Sequence, residues 1–220
     1  MKRSLFIPST ALRACFLLSS FIFSCTPASG QSTPQIVNVY ATGAAQPWLT
    51  ELYTCAADLS AALNVSADSP DIFLRLGQPA DLTTPAFQID VDDILIVVNK
   101  QSPLGNLTLE QARIFFTGRG DPTAQVWVYA SAEEPQMIFE QAVMDGRGVT
   151  SFARLAVSPA HMVEALSADP NAVGILPRHW MTAGLRELFL AASVPVLALT
   201  PSEPTGIVRD LVACLQKKGD

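Results

Sequence analysis

The segment of this chain that most restricts its fold is Asn99–Gly120, which links the end of a strand to a loop and a short helix. The apolar run Asp93–Val98 precedes it and predicts a strand that is buried on both faces. Thr108 and Gln111 have the spacing of a capping box, in which each side chain accepts a hydrogen bond from a backbone amide of the first helical turn. Gly118 suits the left-handed conformation that ends many helices. The segment therefore predicts a buried strand, a loop and a well-capped helix.

Strand and helix patterns alternate along the rest of the chain. Such alternation predicts an α/β fold with largely parallel or mixed sheets. The predicted strands are Ile36–Thr42, Asp71–Leu76, Asp93–Val98, Val126–Ala130, Ala172–Ile175 and Val194–Leu199. The predicted helices are Pro47–Leu63, Thr108–Phe116, Pro135–Met144, Pro159–Ala168 and Glu203–Gln216.

The first 24 residues have the pattern of a signal peptide. Three basic residues precede the apolar stretch Ala14–Phe23, which is about half of the roughly 20 residues that a membrane-spanning helix needs. The last residues of the leader resemble a lipobox, in which Cys25 is lipidated and the leader is cut before it. A plain secretory signal that is cut near Ala28 or Gly30 is the alternative.

Residues 25–35 follow as a lipidated cysteine and a tether, because Pro, Ser, Gly, Thr and Gln dominate them. This composition favours a lipoprotein at the extracytoplasmic face of the bacterial cell membrane. Loss of the leader leaves 11 of the 14 basic residues against 20 acidic ones, a net charge of −9. A nucleic-acid partner is therefore excluded, since such binding needs a basic surface.

Beyond Cys25, two cysteines remain in the exported part, Cys55 and Cys214. An even number of cysteines in an oxidising compartment favours a disulfide. Both residues lie in predicted amphipathic helices, close to the two ends of the chain. The alternative is a pair of separate buried thiols.

Three motifs in chain order carry a resemblance to a known family. The first is LTLEQ–R–hydrophobic–F–TG within Asn99–Gly120, preceded by an apolar strand that ends in Asn and by an NxxxPLxN loop. The others are Phe139-Glu140 in a predicted helix and MVEALSADPNAVGILP over Met162–Pro177. Together they resemble the phosphate-type substrate-binding proteins of bacterial ABC importers, over roughly Ile36 to Leu215.

The resemblance implies a two-lobed type 2 periplasmic-binding-protein fold with mixed sheets and two crossover strands. Lobe one would comprise residues 36–98 and 177–215, and lobe two residues 99–176. The crossovers would lie near Val97–Asn99 and Gly174–Pro177. Such a protein would be a monomer that needs no cofactor. It would bind a small molecule or ion in the cleft and present it to an ABC permease.

Two loops that precede helices are the candidate ligand-binding positions. Exposed amides and the positive end of a helix dipole make such loops suitable for anions. In the family, the second loop reads Ser-Gly-Thr followed by a basic residue, whereas two glutamates stand here. The candidate residues are Thr42, Gly43, Ala44 and Gln46 in the first loop, and Ser131, Ala132 and Glu133 in the second.

Glu133 and Glu134 make phosphate a poor candidate ligand. Each carboxylate beside a dianion costs roughly 1 kcal/mol even in a water-like dielectric. The simplest expectation is that both side chains cap the helix dipole and face solvent. If they face the cleft, a neutral or cationic ligand is favoured.

The residues give no support for an enzyme. No nucleophile and base pair is suggested, and His161 and His179 lack the spacing of metal ligands. The acidic cluster Asp90, Asp92 and Asp93 lacks the further oxygen donors of a cation site. The alternative to a transport protein is therefore a ligand-free surface sensor or assembly module that has kept the binding-protein fold.

Overall fold

One mixed sheet of eight strands organises the protein, which a computed structural model describes over residues 34–219. The strands are β1 (Ile36–Ala41), β2 (Ala62–Val65), β3 (Ile72–Leu76), β4 (Ala86–Asn99), β5 (Gln125–Val128), β6 (Arg154–Leu155), β7 (Ala172–Pro177) and β8 (Leu185–Leu199). Their order in the sheet is β2-β1-β3-β8-β4-β7-β5-β6. The sheet contains both parallel and antiparallel pairs, which agrees with the mixed sheets of the predicted α/β fold.

Helices cover this sheet and connect its strands. Two of them continue into π-helical turns, over Phe115–Arg119 and Glu140–Met144, and a 3-10 turn covers Arg178–Trp180. The five α-helices are α1 (Pro47–Asp58), α2 (Leu109–Ile114), α3 (Glu134–Phe139), α4 (Pro159–Ala168) and α5 (Gly206–Lys218).

Two long antiparallel strands, β4 and β8, connect the two lobes. The C-terminal part of β8 pairs with β3, whereas residues 94–98 of β4 pair with β7. The two long strands pair with each other from Ala86 to Asn99, through three irregularities in register. The strand at the crossover expected near Gly174–Pro177 is β7, which pairs with β4 and β5, so this crossover stays a prediction. The exact lobe boundaries at 98/99 and 176/177 remain a prediction.

The segment Asn99–Gly120 has the predicted local structure. Thr108 is the N-cap of α2; its hydroxyl accepts from the Gln111 amide at 3.3 Å, and its own amide donates to Gln111 Oε1 at 2.8 Å. Gly118 has a φ of 78° at the end of the π-helical turn. Both the capping box and the left-handed glycine are confirmed.

Several element boundaries differ from the prediction. The helix expected to reach Leu63 ends at Asp58, because Ser60 adopts a φ of 55° and the chain turns into β2. The strands expected at Asp93–Val98 and Val194–Leu199 are parts of β4 and β8. The other half of each of these two strands contains polar residues, so the apolar run did not predict the full length of β4 or β8.

A disulfide bond between Cys55 and Cys214 joins α1 to α5. Cys55 is fully buried on α1, beside Leu52 and Ala56. The structure therefore contains the bridge rather than two separate thiols. It closes a sequence separation of 159 residues and clamps the two ends of the described chain.

The predicted signal peptide, the lipidation site Cys25 and most of the tether lie outside the described residues. Within residues 34–219, no helix has the length and apolar character needed to cross a bilayer. This finding concerns the described part of the chain alone.

Candidate functional site

The first candidate loop, residues 42–46, follows β1, and hydrogen bonds fix its first residues. The Thr42 amide donates to the Leu74 carbonyl at 3.0 Å, and the Thr42 hydroxyl accepts from the Ala45 amide at 3.3 Å. The Ala44 carbonyl accepts from the Trp180 indole at 3.0 Å. Ala44 is buried, Thr42 and Gly43 are half-buried, and Gln46 is exposed at the N-cap of α1. Two amides that could have served an anion, those of Thr42 and Ala45, therefore already have partners.

The second candidate loop is more open. Ser131, Ala132 and Glu133 are all exposed, and Glu133 is the N-cap of α3 without a side-chain cap bond. Within residues 34–219, no hydrogen bond joins any of these three to the first loop. Their exposure agrees with the expectation that the residues before α3 face solvent.

Glu134 is where the two loops meet, and the expectation that it faces solvent is wrong. Its side chain is buried, with the residue 6% exposed. The Thr42 hydroxyl donates to Glu134 Oε2 at 2.7 Å, and the Leu76 amide donates to the same oxygen at 3.0 Å. Arg75 Nε lies 3.3 Å from the other oxygen, Oε1. The Thr42 hydroxyl, the Leu76 amide and the Arg75 charge offset the cost of removing this carboxylate from water.

Opposing effects act on the pKa of Glu134 in this junction. Burial raises the pKa of Glu134 above its ordinary value, while the Leu76 amide, the Thr42 hydroxyl and the Arg75 charge each act to lower it. Arg75 Nε is buried and, within residues 34–219, has no hydrogen-bond partner of good geometry. The carboxylate therefore neutralises Arg75 without satisfying all of its donors.

A cavity of about 300 Å³ adjoins this junction. Arg75 and Glu134 form part of its wall, so a small ligand there would meet one positive and one negative side chain. The other side of the wall is the exposed face of α3 and its π-helical extension. The remaining lining residues are Leu76, Gly77, Gln78, Pro79, Ala80, Met137, Ile138 and Gln141.

The acidic cluster in β4 forms a separate polar group. Asp92 is buried, its Oδ1 lies 3.3 Å from His179 Nδ1, and burial raises its pKa. Asp93 accepts hydrogen bonds from Ser193 and from Arg178, which lower its pKa. The described residues contain no group of three acidic, His or Cys side chains placed to hold a metal ion. These contacts join β4 to β8 and to the 3-10 turn.

No protein-family model and no curated protein matches the sequence. Solved structures do match. A protein from Clostridium perfringens, assigned as a phosphate ABC transporter substrate-binding protein with bound phosphate, superposes with a TM-score of 0.75 at 13% identity. The match covers 84% of this chain and 95% of that one. An ABC-type phosphate transport receptor from Vibrio cholerae matches at 0.61 and 17% identity, over 82% of this chain and 93% of the receptor.

A regulatory domain has the same architecture. The CcmR regulatory domain from Synechocystis, in complex with 2-PG, matches with a TM-score of 0.65 at 10% identity, over 84% of this chain and 97% of that domain. The chain has a type 2 periplasmic-binding-protein fold. The predicted two-lobed fold is therefore confirmed. At these identities the likeness extends to the fold, which transport receptors and regulatory domains share.

Arg75 was not predicted as a partner of Glu134. The available signal was an arginine inside the otherwise apolar strand IFLRL, where a buried charge requires a partner. The partner could not be deduced, because Arg75 and Glu134 are 59 positions apart in the sequence. The role of the Leu76 amide could not be predicted from the sequence, since every residue but proline has a backbone N–H group.

Proposed function

We propose that this protein is an extracytoplasmic solute-binding lipoprotein of an ABC-type importer and that it binds a small ligand between its lobes. The observation that carries the proposal is the contact between Thr42 and Glu134. It joins two helix-preceding loops from different parts of the chain beside a cavity of ligand size. Hinge closure of two lobes over a ligand is an established way for such a site to signal occupancy.

The charges around the cavity favour a neutral or cationic solute. Arg75 is the basic residue in its wall, and Glu134 lies within ion-pair distance of it. A phosphate dianion would have to displace or approach the Glu134 carboxylate, at a cost of roughly 1 kcal/mol or more. The uncharged polar groups of Gln78 and Gln141, together with Met137, suit a small polar molecule with an apolar part.

The proposed mode of action needs the leader and the tether. Cleavage before Cys25, followed by its lipidation, would anchor the domain at the outer face of the membrane beside a permease. Mass spectrometry of membrane fractions would detect a lipidated Cys25 as the new N-terminus. An unmodified N-terminus beyond residue 25 would exclude the anchor.

Calorimetric titration tests the ligand chemistry. We expect no tight binding of phosphate, and a submicromolar dissociation constant would contradict the assignment. A thermal-shift screen of small polar solutes should identify compounds that raise the melting temperature by mass action. A true cavity ligand should lose this effect in Gln141→Ala and keep it in the matched control Gln101→Ala, which changes an exposed glutamine elsewhere.

The second candidate function is a ligand-free surface sensor or assembly module. The observation in its favour is that Glu134 already engages the Thr42 hydroxyl and the Leu76 amide, so those donors need no ligand. A screen in which no solute changes the melting temperature would support this function over solute transport.

A further inference from the structure

The contacts of Glu134 are those of a bound anion. A hydroxyl, a backbone amide and a guanidinium converge on its carboxylate, from Thr42, Leu76 and Arg75. The two hydrogen-bond donors lie 92 and 58 residues from Glu134 in sequence. None of the three belongs to the loop or helix that carries the glutamate. The cradle is therefore built at the ends of β1 and β3, and α3 supplies the negative charge.

We propose that Thr42, Leu76 and Arg75 form an anion-binding site whose occupant is the chain's own Glu134 carboxylate. The class of ligand that this site takes is a small carboxylate, with acetate as its simplest free form. The glutamate acts as a tethered ligand that holds the two lobes together. Attachment to α3 gives it an effective concentration that a free anion has to exceed.

Two observations distinguish this arrangement from an ordinary buried ion pair. Arg75 Nε has no well-aligned hydrogen bond within residues 34–219, so the tethered carboxylate leaves part of the cradle unused. The adjoining cavity of about 300 Å³ has Arg75 and Glu134 in its wall. Acetate could therefore reach the cradle once the glutamate side chain is removed.

The inference does not depend on a transport role. It concerns a site that the native chain keeps occupied, whereas the proposed solute would bind in the adjoining cavity. A solute that binds the wild-type protein supports transport whatever happens in the cradle. Failure of acetate to bind the altered protein would leave that result unchanged.

The test is chemical complementation of Glu134→Ala. We expect acetate to bind this variant at least about tenfold more tightly than it binds the wild type, the factor that one hydrogen bond to a charged group is worth. Calorimetry and the rise in melting temperature with acetate would both measure it. Chloride at the same ionic strength is the salt control, and phosphate in a parallel titration reports whether the cradle also accepts a tetrahedral anion.

Three variants separate the cradle from general charge effects. Glu133→Ala removes the same charge one residue away, at an exposed position, and should gain no acetate binding. Glu134→Gln keeps the cradle filled with a side chain of the same shape and should also gain none. Adding Thr42→Val to Glu134→Ala should remove most of the gained affinity.

Folding of the variant is part of the test. If Glu134→Ala folds without added anion, its failure to bind acetate more tightly than Glu133→Ala overturns the proposal. If it folds only with added anion, recovery of the native circular dichroism by acetate but not by chloride supports it. Absence of such recovery, or persistence of acetate binding in the Thr42→Val background, also overturns it.

Discussion

Loss of the disulfide bond between Cys55 and Cys214 should strongly destabilise the protein. The two residues are 159 positions apart. In the chain-entropy model, a cross-link that closes a loop of this length stabilises the folded state by about 5 kcal/mol at 25 °C, because it restricts the unfolded chain. A domain typically has a total stability of about 5–15 kcal/mol. The reduced protein should therefore be marginally stable.

Urea unfolding of the oxidised and reduced wild-type protein measures this effect. With a urea dependence of about 1–3 kcal/mol/M, the midpoint should fall by about 2 M or more on reduction. The double variant Cys55→Ala/Cys214→Ala should match the reduced protein and should not respond to reductant. A small additional loss is expected there, because Cys55 is fully buried.

Two results would contradict this prediction. One is a pair of titratable thiols in the exported, non-reduced protein. The other is a change of less than about 1 kcal/mol on reduction, which would mean that loop closure is not restricting the unfolded chain as the model assumes. The first would restore the alternative of two separate thiols.

Three further predictions concern single residues. Thr108→Ala should lower the free energy of unfolding by about 1 kcal/mol, because it removes the cap that accepts from Gln111; chemical denaturation measures it, and no loss would contradict the capping box. Gly118→Ala should cost more than about 1 kcal/mol, because φ is 78° and a Cβ would lie 2.7 Å from Thr150 Oγ1; an unchanged melting temperature would argue against that backbone. Burial raises the pKa of Glu134 from 4.5, so its contribution to stability is complete below that value and is lost as the pH rises through the raised pKa. The stability of the wild type relative to Glu134→Gln should therefore fall from pH 4.5 towards neutral. A stability difference that rises over this pH range would contradict the prediction.

Local features were the most predictable part of this fold. The capping box at Thr108 and the left-handed Gly118 follow from short-range sterics and hydrogen bonding, which neighbouring residues alone decide. The alternation of helices and strands was predicted for the same reason. Strand length was harder to predict, because β4 and β8 contain both polar and apolar residues.

The candidate site was only partly predictable. The sequence indicated that the loops at Thr42 and at Ser131–Glu134 could carry a ligand, since both precede helices. It predicted the wrong orientation for Glu134, because a charged residue at a helix start usually faces water. Whether its carboxylate is buried depends on donors 58 and 92 residues away, which local propensity does not describe.

The residues alone were enough to predict the α/β class, the family resemblance, the capped segment Asn99–Gly120 and the two cysteines that could pair. These follow from periodicity, composition and short motifs. Three other features depend on the three-dimensional fold. Cys55 meets Cys214, β8 pairs with β4 from Ala86 to Asn99, and Glu134 contacts Thr42, Leu76 and Arg75. These features escape local patterns because burial and charge pairing depend on which distant residues the sheet brings together.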